Sequence, residues 1–406
     1  MNNILINGAE FDNKGAQSML LTLLAMLQKV YPNKNVVILT GKSNSNMGLN
    51  LGNEVAFQSN MYVAKYAKTL VSLVWFYYSL IVKRTSFDKQ GFRDYVNLLN
   101  NSSHVYDISG YSFGEQFIFA SSYIYLMKLK VFNKTRLNVI LLPQSFGNFD
   151  NSNFLQRNII KRLAEKYFPK CTRIYAREKS SFGNIERYSP GNLTLKRDIV
   201  YEFGNSFNIA NLVNPINYDL SVNFDIKKNS VALIPNTKLL KLVSRSLLIE
   251  YYNVMIDQLI NLNKNIYLVY HSNEDFYMLK ELYNQYYDNP KLFFVSEELN
   301  VYQLRHLLSK MDFNIASRYH SIIHSYLGFR PCLVIGWATK YNELLETVSQ
   351  IEFLIDLINE TLSKNKLTML INKLNKNYKG YSKIIKYSVQ NLNIESVEKY
   401  LLGELK

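Results

Sequence analysis

The chain has 406 residues, of which 48% are apolar, enough for two hydrophobic cores; collagen-like, disulfide-rich and disordered classes are excluded. Formal net charge is +15, and residues 120–200 alone hold 15 Lys and Arg against 5 Asp and Glu, which points to an anionic partner or to a plainly solvated basic surface. Nucleic acid is not expected, because there is no zinc finger, arginine-rich arm or RNA-binding aromatic signature, and the two cysteines, Cys171 and Cys332, provide neither a disulfide framework nor a zinc motif.

The N-terminal MNNILINGAEF lacks the basic segment and long apolar core of a secretory signal. It reads as a first strand, Ile4–Asn7, and a cytoplasmic location is expected. Helical spacing over Gly15–Val30 follows, and then a strand at Val36–Leu39. Between strand and helix lies Gly8-Ala9-Glu10-Phe11-Asp12-Asn13-Lys14-Gly15-Ala16. Small residues there allow a ligand to approach the backbone, and the helix start favours an anion. The G-x-G-x-x-G dinucleotide spacing is absent, and a plain tight turn is the competing reading.

Leu70 to Val82 is a 13-residue run without charge, flanked by Lys65, Lys68, Lys83 and Arg84. It is shorter than the roughly 20 residues that span a bilayer. It reads either as a helix buried between domains or as an interfacial helix, with peripheral membrane contact through 65–84.

Further strands are expected at Val105–Ile108, Val139–Leu142 and Ile174–Ala176. The first opens into Asp107-Ile108-Ser109-Gly110-Tyr111, where Gly110 and its neighbours offer backbone N–H groups to a sugar or phosphate oxygen. The second is expected to close in a loop, Pro143-Gln144-Ser145-Phe146-Gly147, where Gln144 can donate and accept. The third ends at Arg177, a guanidinium suited to a carboxylate or phosphate unless Glu178 neutralises it.

After about residue 205 the pattern restarts, with strands at Val231–Ile234, Ile266–Tyr270, Leu292–Val295, Phe313–Ala316 and Cys332–Ile335 and helices between them. The expectation is an α/β protein of two successive domains facing a cleft. Residues 1–205 form the first domain and 206–360 the second, with 361–406 a helical tail returning to the first. His271 ends one second-domain strand. Arg318 and His320 sit at the strand-to-helix crossing in Ser317-Arg318-Tyr319-His320, a fixed cation beside a titratable base. His324 shares the helical face of His320, but no third residue has metal-ligand spacing, so no metal is expected. Trp337 and Lys340 follow the last strand, with Lys340 facing an anion.

The segments NGAEFDNKGAQSML, DISGYSFGE, LLPQSFGNF, YAREKSSF, YHSNED and above all ASRYHSIIHSYLGFRPCLVIGWATKYNELL, in this order, resemble the polysaccharide pyruvyl transferases. The resemblance covers Ile4 to about Leu345. It implies two Rossmann-like domains facing a central cleft, the arrangement of GT-B-like glycosyltransferases. It also implies transfer of pyruvate from phosphoenolpyruvate to a sugar of a cell-surface polysaccharide or its lipid-linked precursor, giving a ketal without a metal or other cofactor. Arg177 and Arg318 would hold the donor's carboxylate and phosphate, and His320 would be the general acid. Asn13, Lys14, Gly15, Gly110, Gln144, Ser145, His271, Trp337 and Lys340 are the expected substrate contacts. Many members carry Asn-x-Gly-Asp in the first loop, whereas this chain has Asn13-Lys14-Gly15-Ala16, which leaves Asp12 or Glu10 as the expected base. The usual Asp-Pro element before the domain link is replaced by YEFGNSF at Tyr201–Phe207. A nucleotide-sugar glycosyltransferase and a non-catalytic glycan-binding homologue are the competing functions.

Overall fold

The computed structural model describes residues 2–9, 13–40, 54–57, 60–81, 87–115, 119–212, 218–222, 224–357 and 363–402. Short apolar runs rich in Val, Ile and Leu become strands buried on both faces, the pattern of parallel sheets covered by helices. The first lobe holds β1 (Asn3–Asn7), α1 (Lys14–Val30), β2 (Asn35–Thr40), β3 (Glu54–Phe57), α2 (Asn60–Ala67), α3 (Leu70–Ile81), α4 (Lys89–Asn100), β4 (Ser102–Asp107), β5 (Tyr111–Phe113), α5 (Phe119–Lys134), β6 (Asn138–Phe146), α6 (Phe154–Tyr167), β7 (Arg173–Ala176), α7 (Lys179–Glu186), β8 (Leu193–Leu195) and α8 (Ile199–Phe203). The second holds β9 (Ser230–Ile234), α9 (Arg245–Asn261), β10 (Asn265–Val269), α10 (Phe276–Gln285), β11 (Leu292–Val295), α11 (Val301–Lys310), β12 (Phe313–Ala316), α12 (Tyr319–Leu327), β13 (Cys332–Gly336), α13 (Lys340–Glu346) and β14 (Leu354–Asp356). Two C-terminal helices, α14 (Lys364–Gln390) and α15 (Val397–Leu402), follow.

The first sheet runs β3-β2-β1-β4-β6-β7-β8 with β5 attached to β6, and the second runs β11-β10-β9-β12-β13-β14. The pairings in both are parallel. Strand order therefore reverses between β1 and β4 in one lobe and between β9 and β12 in the other. Loops leaving the carboxyl ends of neighbouring strands splay apart at such switch points and open a crevice. The segments after β1, β4, β7, β10, β12 and β13 all leave from these ends.

The expected loop at Pro143–Phe146 is instead strand. Strand β6 continues to Phe146, and its register against β7 shifts between Leu141 and Gln144. Proline lacks an N–H for the ladder, so the chain bulges there and resumes pairing.

Helix α1 is buried on nearly every side from Lys14 to Leu27, because it lies between the lobes. Its Leu20, Leu23, Leu24 and Leu27 share one continuous core with Ala232, Ile234, Leu304 and Ile323 of the second lobe. Its polar residues latch across the seam: Gln17 Oε1 accepts from Val301 N at 3.1 Å, and Ser18 Oγ meets His324 Nε2 at 2.8 Å. Helix α14 is kinked at Asn377. Its first half packs Leu367, Leu370 and Leu374 on the second lobe, while Ile385, with Val397, Tyr400 and Leu401 of α15, joins the shared core.

Candidate active site

Asp107, at the end of β4, is fully buried and ties the first crevice together. It accepts from Ser109 N at 3.0 Å and Gln144 Nε2 at 3.2 Å, and Asn7 also donates to it. Burial raises its carboxyl above the usual range. Gln144 is buried with its amide engaged by Asp107 and by Tyr125, so its position holds the loops together away from the cavity. Gly110 has φ +70°, a backbone conformation that favours glycine, and its carbonyl accepts from Ser145 N at 2.7 Å.

Arg177 leaves β7 and is buried. Its Nη1 donates to Asp198 at 2.9 Å, Nη2 donates to Ser145 Oγ at 2.6 Å, and Nε lies 3.4 Å from Glu178. From the second lobe, His320 Nε2 stands 3.4 Å from the same Asp198 oxygen. The Arg177 guanidinium also lies 4.5 Å above the Tyr319 ring. Arg177 and His320, distant in sequence and on different lobes, thus meet at one carboxylate. Burial alone would raise the Asp198 pKa, but His320 and Arg177 overcome it and hold the carboxyl well below its ordinary range.

Asp198 is not among the residues the sequence singles out, because the segment before the domain link, Tyr201–Phe207, lacks the Asp-Pro element. Asp198 lies three residues earlier, as the N-cap of α8, where its side chain accepts from Val200 N. A short acidic residue immediately before an apolar run was the available signal.

Arg318 is held differently. Asp275 grips its Nε and Nη2 at 2.8 and 2.6 Å, and Glu274 takes Nη2 at 2.6 Å. Its guanidinium, like that of Arg177, helps to hold the Lys340 pKa down. His271 is buried, with Nδ1 2.8 Å from Ser321 Oγ. Burial first, then Arg318, His320 and Lys14, hold its pKa far below the ordinary histidine range. Lys14 is buried and paired across the seam with Glu298, and Asn13 caps α1 through Gly15 N at 2.9 Å while bridging to Ser272. Gly15 packs on the imidazole of His320, where an added methyl would collide with Nδ1. Glu10 and Asp12 lie outside the described residues. His320 and His324 diverge, one toward Asp198 and the other toward Ser18, and no group of three metal-ligating side chains occurs among the described residues.

Lys340 occupies an aromatic box. Its Nζ lies 5.1 Å from the ring centroids of Tyr319 and Trp337, and 5.6 Å from those of Tyr111 and Tyr341. Burial, then repulsion by Arg177, brings its pKa down to about 7. Lys340, Arg177, Asp198 and Tyr319 line a cavity of about 490 Å³ between the lobes, together with Arg197 and Glu202. Arg318 is not part of its lining, and His320 meets its wall through Asp198. Glu202, also unanticipated, has its carboxyl pushed up to about 7 by burial, against the opposing pull of Arg197 and Lys196.

Cations and a histidine gathered between two switch points suit an anionic substrate. The profile described as polysaccharide pyruvyl transferase matches residues 13–339. The chain belongs to the polysaccharide pyruvyl transferase family. It is therefore a transferase acting on sugars, with two parallel α/β lobes flanking a cleft. No curated protein sequence matches it. Solved structures share the family member's fold at low identity. Anabaena HepE in complex with UDP and glucose is 11% identical, with TM-score 0.57 over 100% of this chain and 99% of that one. The UDP-GlcNAc 2-epimerase of Methanocaldococcus jannaschii is 12% identical, with TM-score 0.55 over 96% and 100%. The S. aureus MnaA–UDP co-structure is 11% identical, with TM-score 0.57 over 100% and 98%.

Proposed function

We propose that this transferase moves pyruvate from phosphoenolpyruvate to two hydroxyls of one sugar in a cell-surface polysaccharide or its lipid-linked precursor. The observation that carries this reading is the meeting of Arg177 and His320, from opposite lobes, on Asp198 beside a cavity lined by cations.

In this reading the methylene carbon of the donor takes a proton, positive charge develops at C2, and a sugar hydroxyl adds there. A second hydroxyl then displaces phosphate by breaking the C2–O bond, its proton leaving with the phosphate, and the ketal closes. His320 supplies the proton, with the ionised Asp198 orienting its ring. Arg177 and Lys340, both in the cavity wall, neutralise the donor's carboxylate and the departing phosphate, while Arg318 stays with Asp275 and Glu274 outside it. Glu202, in the cavity wall and titrating near neutrality, takes the proton of an acceptor hydroxyl. Holding donor and sugar between the lobes aligns the reacting atoms.

The test is phosphate release from phosphoenolpyruvate by the purified chain against panels of lipid-linked and nucleotide-linked glycans. Release is expected only with an acceptor, and H320Q is expected to lower it by roughly 10²–10⁴-fold. E202Q should slow turnover while leaving donor binding intact. Sugar transfer from a UDP-sugar without phosphoenolpyruvate would replace this reading with glycosyl transfer. Tight glycan binding without turnover across the panel would leave a binding protein.

A further inference from the structure

Helix α3 carries its apolar face outward. Leu70, Val71, Val74, Tyr77 and Tyr78 are exposed, Leu70 by 81%, Val74 by 61% and Tyr77 by 56%. Their spacing places them on a single stripe. Ser72 and Ser79 are buried instead. Surface helices normally do the reverse, so the orientation needs a cause. It comes from contacts on the inner side. Thr69 Oγ1 bonds Ser72 Oγ and the Tyr123 hydroxyl of α5, each at 2.7 Å, and Phe76 packs with Met61 and Ala64 of α2.

The helices flanking the stripe carry charge of one sign. Helices α2 and α5 contain Lys65, Lys128, Lys130 and Lys134, Lys68 lies in the link between α2 and α3, and α2, α3 and α5 hold no acidic residue. Lys65 turns inward over the Phe87 ring at 4.2 Å. Lys68 and Lys134 are exposed near the start of α3, with Lys134 Nζ donating to the Tyr66 carbonyl at 2.7 Å. Lys134 and Lys130 are crowded: burial first, and then lysine neighbours, lower the pKa of each. An apolar, tyrosine-bearing stripe beside exposed lysines matches the boundary between acyl chains and anionic headgroups. At 12 residues α3 is about 18 Å long, against a hydrocarbon core of about 30 Å, so it can lie on a bilayer but not cross it. Among the described residues no helix is long and apolar enough to cross a membrane.

We propose that α3 docks this protein on an anionic lipid surface. Leu70, Val71, Val74, Tyr77 and Tyr78 enter the acyl boundary, and Lys68 and Lys134 face the lipid phosphates. The docking stands apart from the catalytic reading, since none of these residues lines the cavity between the lobes.

The experiment is flotation of the full chain with vesicles of phosphatidylcholine alone or mixed with phosphatidylglycerol. Wild type is expected to float with the anionic vesicles, and less so as salt rises. L70S/V74S/Y78S, whose replaced side chains are exposed, should keep its circular dichroism spectrum and lose flotation by roughly tenfold or more. Y277S/Y287S, which removes two exposed tyrosines from the second lobe, should float like wild type. Equal flotation of wild type and the triple variant, or no flotation of wild type, overturns the proposal. So does sedimentation velocity showing a wild-type dimer and a monomeric triple variant, which would assign the stripe to a second copy of the chain. Turnover on a soluble glycan acceptor should be the same in wild type and triple variant, so the docking and the chemistry succeed or fail separately.

Discussion

Lys340 shows how a single side chain is made responsive to pH near neutrality. Its ammonium is half-buried among four aromatic rings, and Arg177 repels it. The folded pKa is about 7, so the unfolded chain holds the proton more readily between there and the ordinary lysine range. The cost to stability is therefore full below about pH 7 and fades as pH rises toward 10.5. Lys340→Met should raise the unfolding midpoint most at acidic pH and least at alkaline pH, as followed by calorimetry. The same substitution should weaken capture of the anionic donor and lower kcat/KM by roughly 10²-fold. In wild type the KM for phosphoenolpyruvate should climb as pH passes about 7, and that climb should be absent from the variant.

At the scale of the element, α1 matters more than its apolar sequence suggests. A helix that is hydrophobic all round is one buried all round, and α1 is buried because both lobes close on it. In its first turn, Gly15 leaves room for the His320 imidazole. Gly15→Ala should push that ring away from Asp198 while α1 still forms, since alanine is the better helix former. Overpacking of this kind costs about 1–3 kcal/mol. The expected result is a loss of turnover of at least roughly tenfold with an unchanged circular dichroism spectrum, and full activity in the variant would remove His320 from the reaction. Strand-scale reading from sequence was uneven for a physical reason. The central strands β1, β4, β9 and β12 were visible as β-branched apolar runs, because burial on both faces demands them. Strands β5, β8 and β14 have three residues each, and β3 lies at the sheet edge. Short or one-sided pairing demands little of the side chains and leaves a weak signal.

For the whole molecule, the C-terminal helices act as a strap. Helix α14 starts on the second lobe, turns at Asn377, and delivers α15 to the first lobe. There Tyr175 donates to the Tyr400 carbonyl at 3.0 Å, Lys196 pairs with Glu395 at 2.7 Å, and Val397, Tyr400 and Leu401 are buried. Removing residues 393–406 withdraws three buried apolar side chains and should destabilise the protein by roughly 5 kcal/mol. Calorimetry should show a lowered midpoint, and an unchanged midpoint would mean that α15 adds nothing to the core.

The sequence by itself determined two parallel α/β lobes and the chain segments that line their carboxyl edges. Periodicity and β-branched runs mark the strands that a parallel sheet buries on both faces, and that record is written within each strand. It also supplied the family, through the order of short segments around Arg177, Arg318 and His320. Tertiary structure alone decided which charges meet. Arg318 went to Asp275 and Glu274, while Arg177 and His320 came together at Asp198, a residue with little local distinction. It also decided that α3 turns its serines inward and Leu70, its valines and its tyrosines out. Pairing and exposure depend on which surfaces the fold brings into contact, and residues far apart along the chain carry no record of that in their spacing.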